Sequence, residues 1–244
     1  MPLILATTTP GEPEIFASLQ GEGASAGQPC AFVRLSRCNL ACGWCDTAYT
    51  WRFSDDSRPH RDGLTFERQA NQVTLPEADV AARIAALGQG RLVITGGEPL
   101  LQSAALARML ALLPPMTLEI ETNGTVAPAL ALDALVTQYN VSPKLAHSGN
   151  PTELALIAER LAAFAADPRA WFKFVISRPD DLAEVRSIQQ RYAIPTARIY
   201  LMPEGIDSAT LAERASWLEP LSGQIGMNFS DRLHIHLYGD TRGT

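Results

Sequence analysis

Residues 31–45 read AFVRLSRCNLACGWC and combine a predicted strand with a cysteine-rich loop. The apolar, β-rich run Ala31–Ser36 is typical of a buried strand. Cys38, Cys42 and Cys45 follow it directly and place three thiol groups on one short loop. Because ligands of α/β sheets bind beyond the carboxyl ends of the strands, we expect metal or cluster chemistry where this strand ends.

Strands and helices alternate along the rest of the chain. Helical segments lie between most of the predicted strands, and Thr74 and Thr152 are predicted to cap two of these helices. Such alternation favours a parallel sheet, and about six strand–helix units predict an α/β fold, a partial (β/α)6-type, TIM-like barrel. The predicted strands are Ala31–Ser36, Leu92–Thr95, Thr117–Thr122, Asn140–Ser142, Trp171–Ser177, Arg198–Met202 and Leu233–Leu237.

Polar motifs stand at the ends of five predicted strands. The carboxyl ends of parallel strands meet at one edge of the sheet, where barrel enzymes bind their ligands. The sequence therefore predicts one binding site that is built from all five motifs. The motifs are Ser36–Cys38, Thr95–Glu98, Glu121–Asn123, Ser142–Lys144 and Met202–Glu204.

One stretch departs from this alternation of strands and helices. Residues 51–73 are polar, lack a clear periodicity and directly follow the cysteine loop. We interpret them as a surface excursion of a single domain that spans residues 1–244. α/β barrels of this length commonly form one domain.

The composition favours an enzyme that acts on a small molecule. The formal net charge is −6 and the basic residues are scattered, whereas proteins that bind nucleic acid usually carry a basic face. No apolar run reaches the roughly 20 residues of a membrane span, and the N-terminus lacks the basic start of a secretory signal. We therefore expect a cytoplasmic protein without nucleic-acid or membrane partners.

The cysteines indicate metal ligation. All four lie between Cys30 and Cys45, whereas a disulfide framework would spread them along the chain. A [4Fe–4S] cluster held by the three loop cysteines leaves one iron free to bind an outside molecule. Structural zinc is the alternative, because zinc also binds thiolates. Cys30 lies near the start of its strand, roughly 20 Å from the loop in extended chain, and is predicted to be a buried thiol.

Two motifs resemble the radical S-adenosylmethionine superfamily. CNLACGWC at residues 38–45 resembles its Cx3Cx2C signature, and TGGEP at residues 95–99 resembles its Gly-Gly-Glu-Pro motif. The resemblance implies a [4Fe–4S] cluster on the three loop cysteines and S-adenosylmethionine as a second cofactor. Reductive cleavage of that cofactor supplies a 5′-deoxyadenosyl radical.

Further motifs resemble one family of this superfamily, the 7-carboxy-7-deazaguanine synthases. The resemblance runs from about residue 14 to the C-terminus. The motifs that carry it are IFASLQGEG at 15–23, CDT at 45–47, ETNGT at 121–125, SPK at 142–144 and MPEG at 202–205.

The resemblance implies a carbon–nitrogen lyase of 7-deazapurine (queuosine) biosynthesis. Members of the family convert 6-carboxy-5,6,7,8-tetrahydropterin to 7-carboxy-7-deazaguanine with release of ammonia, and the radical carried by the cofactor performs the chemistry. They also use Mg²⁺, form homodimers and take electrons from a flavodoxin or ferredoxin-type reductant. Two alternatives stay open: a glycyl-radical activating enzyme, and a zinc-stabilised binding module without activity.

The resemblance also assigns roles to single residues. Arg34 alternates with Val33 and Leu35, so we expect it to face the barrel mouth, where it can bind the substrate carboxylate at two points. Thr47 matches the position of the family's Mg²⁺ ligand. A single threonine can fill this role because Mg²⁺ needs few protein ligands besides water and substrate oxygens. The substrate-binding positions are Leu19, Gln20, Gly21, Glu22, Arg34 and Thr95. The cofactor-binding positions are Trp44, Asp46, Gly97, Ser142, Lys144, Met202, Pro203 and Glu204, and Gly96 and Gly97 are expected to let the backbone approach the cofactor.

The C-terminal residues receive no catalytic role from the sequence. His234 and His236 alternate on the predicted last strand and are interpreted as sheet histidines with satisfied hydrogen bonds. In some members of the family the terminal carboxylate reaches the substrate, and the sequence leaves open whether Thr244 does the same.

Overall fold

The computed structural model describes residues 2–244, which form one 11-stranded sheet with helices packed against it. The strands are β1 (Leu3–Thr9), β2 (Glu12–Pro13), β3 (Ile15–Leu19), β4 (Pro29–Leu35), β5 (Gln72–Leu75), β6 (Arg91–Gly96), β7 (Thr117–Thr122), β8 (Gln138–Val141), β9 (Ala170–Ile176), β10 (Ile199–Pro203) and β11 (Asn228–Phe229). The helices are α1 (Arg68–Asn71), α2 (Glu77–Ala86), α3 (Ser103–Leu110), α4 (Leu130–Asp133), α5 (Thr152–Ala155), α6 (Ala158–Ala166), α7 (Asp181–Arg191), α8 (Ser208–Gln224) and α9 (Leu233–Tyr238). None of them, over the part of the chain that is described, has the length and apolar character of a membrane-spanning helix.

The predicted partial barrel is confirmed by the strand order. The sheet runs β11-β10-β9-β8-β7-β6-β4-β1-β2, and every pairing from β4 to β11 is parallel. Among residues 2–244 no pairing joins β11 to β2 or β3, so the barrel stays open on one side. The carboxyl ends of the parallel strands therefore lie at one edge of the sheet, where the five polar motifs are expected to meet.

Alternation along the strands separates the core from the barrel interior. Leu92 and Ile94 of β6 lie in the apolar core together with residues of α2 and α3. Val33 and Leu35 of β4 lie in the same core, whereas Arg34 points to the other face, as their alternation predicts.

The N-terminal antiparallel strands have no counterpart among the predicted elements. β1 pairs with β2, β4 and β5, and β3 pairs with β4 over the register Ile15↔Val33 to Leu19↔Pro29. β2 and β3 are short and only partly buried, so their pairing with the barrel edge decides their conformation more than their own propensity does.

The loop after β3 spans the open side of the barrel. Gly23 N donates to Ser230 Oγ at 2.7 Å, and Leu233 N donates to Gly21 O at 3.0 Å. This loop is thereby bonded to the segment that follows β11. Residues at opposite ends of the sequence thus meet at the barrel mouth.

The predicted last strand, Leu233–Leu237, is wrong because these residues begin α9. Alternating apolar residues in so short a run fit a strand and a helix equally well. Ile235 N and Gly239 N make helical turn bonds, and Gly239 ends the helix with a φ of 69°. His236 is consequently not a sheet histidine, and its Nε2 lies 3.0 Å from the Asp231 carboxylate.

Both predicted threonine caps are wrong. Thr74 lies in β5 opposite Ile4, and α2 begins one residue after Pro76 without a side-chain cap. Thr152 is the first residue of α5 rather than its cap, and the helix predicted to follow it is divided into α5 and α6. In each case a proline, Pro76 or Pro151, stands at the N-cap position instead.

About half of the residues in the excursion at 51–73 are exposed, and the segment is not wholly irregular. Trp51 and Phe53 are buried, and Phe53 forms a bridge with Phe66. The last part forms α1 and the start of β5. Antiparallel pairing with β1 explains that strand, and such a distant partner leaves no local pattern in the sequence.

Candidate functional site

The carboxyl ends of the parallel strands surround a cavity of about 220 Å³. Its wall includes residues of all five polar motifs, of the loop after β3 and of the C-terminal tail, residues 239–244. Of the predicted site residues, Pro203 does not line it. Those that do are Leu19, Gln20, Gly21, Glu22, Arg34, Cys38, Cys42, Trp44, Cys45, Asp46, Thr47, Thr95, Gly97, Ser142, Lys144, Met202 and Glu204.

Two asparagine amides approach the sulfur atoms of the cysteine loop. Asn150 Nδ2 lies 3.3 Å from Cys42 Sγ, and Asn123 Nδ2 lies 3.9 Å from Cys38 Sγ. Burial raises the pKa of Cys38 to about 12 and that of Cys45 to about 11, so the thiols are protonated before a metal binds. Metal binding must therefore displace protons, and the amides are placed to bond the sulfur ligands that result.

In the described residues, the three loop cysteines do not form a site for a single zinc ion as they stand. Zinc–sulfur bonds of about 2.3 Å would bring the sulfur atoms of a tetrahedral site to within about 3.8 Å of one another. In residues 2–244, no three His, Cys, Asp or Glu side chains converge enough to hold one ion. A [4Fe–4S] cluster is several atoms wide and accepts thiolates that stand further apart. Cys30 does not line the cavity; it is fully buried beside Phe32 and Val93, as predicted for a structural thiol.

Gly96 and Gly97 lie directly against the backbone that leads into the cysteine loop. A Cβ atom at Gly96, whose φ is 136°, would stand 2.1 Å from Leu35 O. A Cβ atom at Gly97 would stand 2.0 Å from Arg37 O, and Gly97 N already donates to Leu35 O at 3.0 Å. The two glycines are thus needed for the packing of the loop itself. This is a second reason for glycine at these positions, besides the expected approach of the backbone to a cofactor.

Glu98 of the same motif points away from the cavity into the protein. Its carboxylate accepts hydrogen bonds from Thr122 Oγ1 at 2.9 Å, from Asn123 N at 2.7 Å and from Leu100 N at 3.0 Å. Burial raises the pKa of Glu98 to about 7, although these hydrogen bonds oppose the shift. Glu98 therefore holds the backbone of Asn123, whose amide faces Cys38.

Glu121 at the end of β7 joins two of the predicted substrate residues. Its carboxylate accepts from Thr95 Oγ1 at 2.8 Å and from Gln20 Nε2 at 3.3 Å. All three residues line the cavity. They give this wall hydrogen-bond acceptors beside donors, which is the pattern that the amide and amino edge of a heterocycle requires.

Arg34 is held from behind by two residues. Arg34 Nε donates to Glu14 Oε1 at 2.8 Å, and Tyr49 OH donates to Glu14 Oε2 at 2.9 Å. The Glu14 carboxylate is 1% exposed, so the ion pair is shielded from water. This arrangement fixes one edge of the guanidinium and directs the group into the cavity.

Four charged groups form a second network in the wall of the same cavity. Glu22 contacts Lys173 and accepts from Arg232 Nε at 3.0 Å, and Arg232 also contacts Asp46. Burial opposes ionisation of Glu22, but Lys173 and Arg232 overcome this effect and hold its pKa well below the usual range. For His234, burial lowers the pKa, so the imidazole is neutral near pH 7.

The cofactor-side wall is formed around Trp44. Lys144 Nζ lies 5.5 Å from the centre of the Trp44 ring and donates to Ser142 Oγ at 2.9 Å. His147 stacks on the same ring with 5.6 Å between the centroids. These contacts fix an aromatic surface and a cation beside the third cysteine.

Glu204 is already neutralised by two arginines. Its Oε1 lies 2.5 Å from Arg61 Nη1, and its Oε2 lies 2.6 Å from Arg214 Nη1. Arg61 belongs to the excursion at residues 51–73, which is thereby bonded to the segment after β10. Only the remaining lone pairs of Glu204 can face a cofactor.

Comparison with known proteins agrees with this geometry. A model of the Radical SAM superfamily matches residues 33–148. A 7-carboxy-7-deazaguanine synthase of Pyrobaculum aerophilum is 37% identical over 94% of this chain and 95% of its own. Another, from Hyperthermus butylicus, is 35% identical over 91% of this chain and 90% of its own. The chain belongs to the 7-carboxy-7-deazaguanine synthase family.

Solved structures agree on the fold of this synthase family. The crystal structure of QueE from Escherichia coli matches with a TM-score of 0.61 at 23% identity and covers 96% of this chain and 95% of that one. Streptococcus suis SuiB matches with a TM-score of 0.53 at 13% identity, over 82% of this chain and 47% of that one. Membership of the synthase family decides against the glycyl-radical activating enzyme and the zinc-stabilised module.

Several residues of the synthase cavity were missed in the sequence. Lys173 is the clearest, because a lysine inside the apolar strand AWFKFVI was a usable signal for a polar barrel interior. Glu121 belongs to the ETNGT motif, but its place in the sequence alone assigns it no role. Arg232 and Arg242 stand in segments without a recognisable pattern, so only the structure reveals them.

The C-terminal tail and His234 also line the cavity. A Cβ atom at Gly21 would stand 2.3 Å from His234 Nδ1, so the QGEG segment and α9 are in close contact. Thr244 is among the lining residues, whereas His236 is not.

Proposed function

We propose that the protein catalyses the radical-mediated ring contraction of 6-carboxy-5,6,7,8-tetrahydropterin to 7-carboxy-7-deazaguanine, with release of ammonia. It would act as a single-domain carbon–nitrogen lyase in 7-deazapurine (queuosine) biosynthesis. One observation carries the proposal: the three loop cysteines, the substrate positions and all cofactor positions except Pro203 share one cavity. Relatives that are matched over nearly their whole length bear the name of this activity.

Cys38, Cys42 and Cys45 would hold a [4Fe–4S] cluster with one open iron. The fit rests on their common loop, on their position in the cavity wall and on the two amides that face their sulfur atoms. When bound, the cluster and S-adenosylmethionine supply a hydrogen-abstracting radical, so the chain needs no catalytic residue of its own. Trp44, Ser142, Lys144 and the segment 202–204 would form the wall that orients this cofactor.

The opposite wall would bind the pterin. Arg34, held by Glu14, would bind the carboxylate, because a guanidinium matches a carboxylate in two parallel hydrogen bonds. Gln20, Glu22 and Thr95 would pair with the heterocycle, and the Leu19 and Gly21 backbone completes this side. Fixed contacts at both ends of the substrate align one of its carbon–hydrogen bonds with the radical.

Thr47 would bind Mg²⁺ together with water and substrate oxygens. Its side chain lines the cavity, and Oγ1 lies 3.6 Å from Cys45 Sγ. Thr47→Ser keeps the hydroxyl and should retain the dependence of the rate on Mg²⁺. Thr47→Ala should lose it, and an unchanged Mg²⁺ titration in that variant contradicts the role.

We further propose the partners of the reaction. Electrons would come from a flavodoxin or ferredoxin-type protein, and the working form would be a homodimer in the cytoplasm. Support comes from the family resemblance and from the need of an open iron–sulfur cluster for a reducing compartment.

Anaerobic turnover is the direct test of the function. Protein reconstituted with iron and sulfide is mixed with the carboxytetrahydropterin, S-adenosylmethionine, Mg²⁺ and dithionite, and the products are separated by chromatography. We expect carboxydeazaguanine in excess of the S-adenosylmethionine consumed, because the radical is regenerated. Cofactor cleavage without carboxydeazaguanine refutes the substrate and leaves only the superfamily.

A further inference from the structure

Arg232 joins three separate segments of the site. It lies directly before α9, and its side chain is 8% exposed. Nε donates to Glu22 Oε1 at 3.0 Å, Nη1 donates to Gly205 O at 2.5 Å, and Nη2 donates to the Asp46 carboxylate. One side chain thus bonds the loop after β3, the turn after the third cysteine and the segment after β10.

The shape of the guanidinium group gives these contacts a geometric consequence. Its donors lie in one plane at fixed mutual angles, whereas a lysine carries a single compact ammonium group. Arg232 therefore sets the separation between Glu22, on the proposed substrate side, and Asp46, on the proposed cofactor side. A lysine at this position can neutralise a neighbouring carboxylate but cannot span all three partners.

The four groups that are linked directly through Arg232 and Glu22 carry balanced charges. Glu22 and Asp46 contribute two negative charges, and Lys173 and Arg232 contribute two positive ones. Buried unpaired charges are costly, so the four groups depend on one another. Without Arg232, one net negative charge would face a cavity whose proposed substrate is itself a carboxylate.

We propose that Arg232 is a positioning residue that holds the substrate wall and the cofactor wall in register. This inference rests on the proposed function. Through Glu22 and Asp46, Arg232 keeps the substrate within reach of the radical, so each cofactor cleavage leads to product. Its positive charge independently supports binding of the anionic substrate.

Two variants separate these roles. Arg232→Lys keeps the charge and loses the bridge, whereas Arg232→Gln loses both. Arg198→Lys is the matched control, because Arg198 donates to the backbone carbonyls of Ala165 and Asp167 at 2.6 and 2.5 Å and does not line the cavity. When S-adenosylmethionine is cleaved without product formation, the reaction consumes one electron from dithionite and one hydrogen atom from an added thiol. It yields methionine and 5′-deoxyadenosine.

The first measurement is the amount of 5′-deoxyadenosine released per carboxydeazaguanine formed. We expect it to rise at least about tenfold in both Arg232 variants, because small displacements of reacting groups cost large factors in rate. We expect iron content and the electron paramagnetic resonance spectrum of the reduced cluster to stay as in the wild type. Arg198→Lys should lower the unfolding temperature and leave the ratio unchanged. A wild-type ratio in both fully loaded Arg232 variants overturns the proposal.

The second measurement is calorimetric binding of the carboxytetrahydropterin to the oxidised, cluster-loaded protein. Arg232→Gln should weaken binding about tenfold, and Arg232→Lys should bind nearly as the wild type does, because it keeps the charge. Equal weakening in both variants overturns the charge role.

The third measurement, hydrogen exchange of residues 20–28 without substrate, does not depend on the substrate assignment. Exchange should quicken in both Arg232 variants, and unchanged exchange overturns the bridging role. If the wild type makes no carboxydeazaguanine but exchange still quickens in the variants, the proposed function fails and the bridge by Arg232 survives.

Discussion

The Arg242 guanidinium lies over the Tyr49 ring, with 3.6 Å between its central carbon and the ring centroid. Arg242 Nη1 also donates to Asn71 Oδ1 at 2.9 Å and to Thr7 O at 3.3 Å. Tyr49 in turn donates to Glu14, the carboxylate that holds the cavity arginine. The C-terminal tail is thus fastened to the same residues that direct the proposed substrate contact.

Removal of this contact should loosen the tail. In Arg242→Ala we expect faster hydrogen exchange in residues 239–244 and a KM for the pterin that rises about fivefold, because a partly buried cation–π contact contributes about 1 kcal/mol. Exchange is followed by mass spectrometry and KM by initial rates. Arg186→Ala, on the exposed face of α7, is the control. Tail exchange at the wild-type rate would show that other contacts hold the tail.

The proposed role of Arg34 predicts a loss that depends on the substrate carboxylate. Arg34→Lys keeps the charge but removes the planar pair of donors, so binding of the carboxytetrahydropterin should weaken roughly tenfold to a hundredfold. A tetrahydropterin without the 6-carboxylate should bind wild type and variant alike. Calorimetry on unreduced protein measures both ligands. Equal losses for the two ligands would mean that Arg34 acts on the shape of the cavity and not on the carboxylate.

The crowding at Gly97 predicts that even a methyl group disrupts the cysteine loop. Gly97→Ala should lower iron and sulfide content after reconstitution and destabilise the fold by about 2–3 kcal/mol, because the new Cβ meets Arg37 backbone rather than a mobile side chain. Gly90→Ala is the matched control, since nothing lies within 4 Å of its Cβ position. Iron analysis and urea unfolding measure the two effects. Normal iron loading in Gly97→Ala contradicts this account of the motif.

The fold class and most of the cavity could be predicted because they depend on local patterns. The strands that end in polar motifs are apolar and short, so their periodicity identifies them, and strand alternation correctly turned Arg34 away from Val33 and Leu35. The residues of the cysteine motif could be predicted from their chemistry, because three cysteines on one short loop suggest either an iron–sulfur cluster or a zinc site.

The remainder depends on contacts between distant residues. Thr74 was predicted as a helix cap, but pairing with Ile4 makes it part of a strand. Leu233–Tyr238 alternates like a strand, yet Leu233 N is already bonded to Gly21 O across the barrel mouth. Arg232 meets Glu22 and Asp46, which lie about two hundred residues away, and no local pattern records such a meeting.

The buried carboxyl of Glu98 predicts a pH dependence of stability with a definite sign. Burial raises its pKa from 4.5 to about 7. Below pH 4.5 the group is protonated in the folded and the unfolded state, and its contribution to stability is fully present. As the pH rises towards 7 the unfolded chain ionises first, so the free energy of unfolding falls, by about 3 kcal/mol in total.

Glu98→Gln cannot ionise and should lack this fall, while its amide oxygen can still accept hydrogen bonds. Urea unfolding of the reduced, cluster-free protein between pH 4.5 and 8 measures the difference. The free energy of unfolding of the wild type should fall relative to that of the variant through pH 7, and the difference should level off as the pH approaches 8. Parallel curves throughout would show that Glu98 keeps its ordinary pKa in the folded protein, and that its three donors offset its burial.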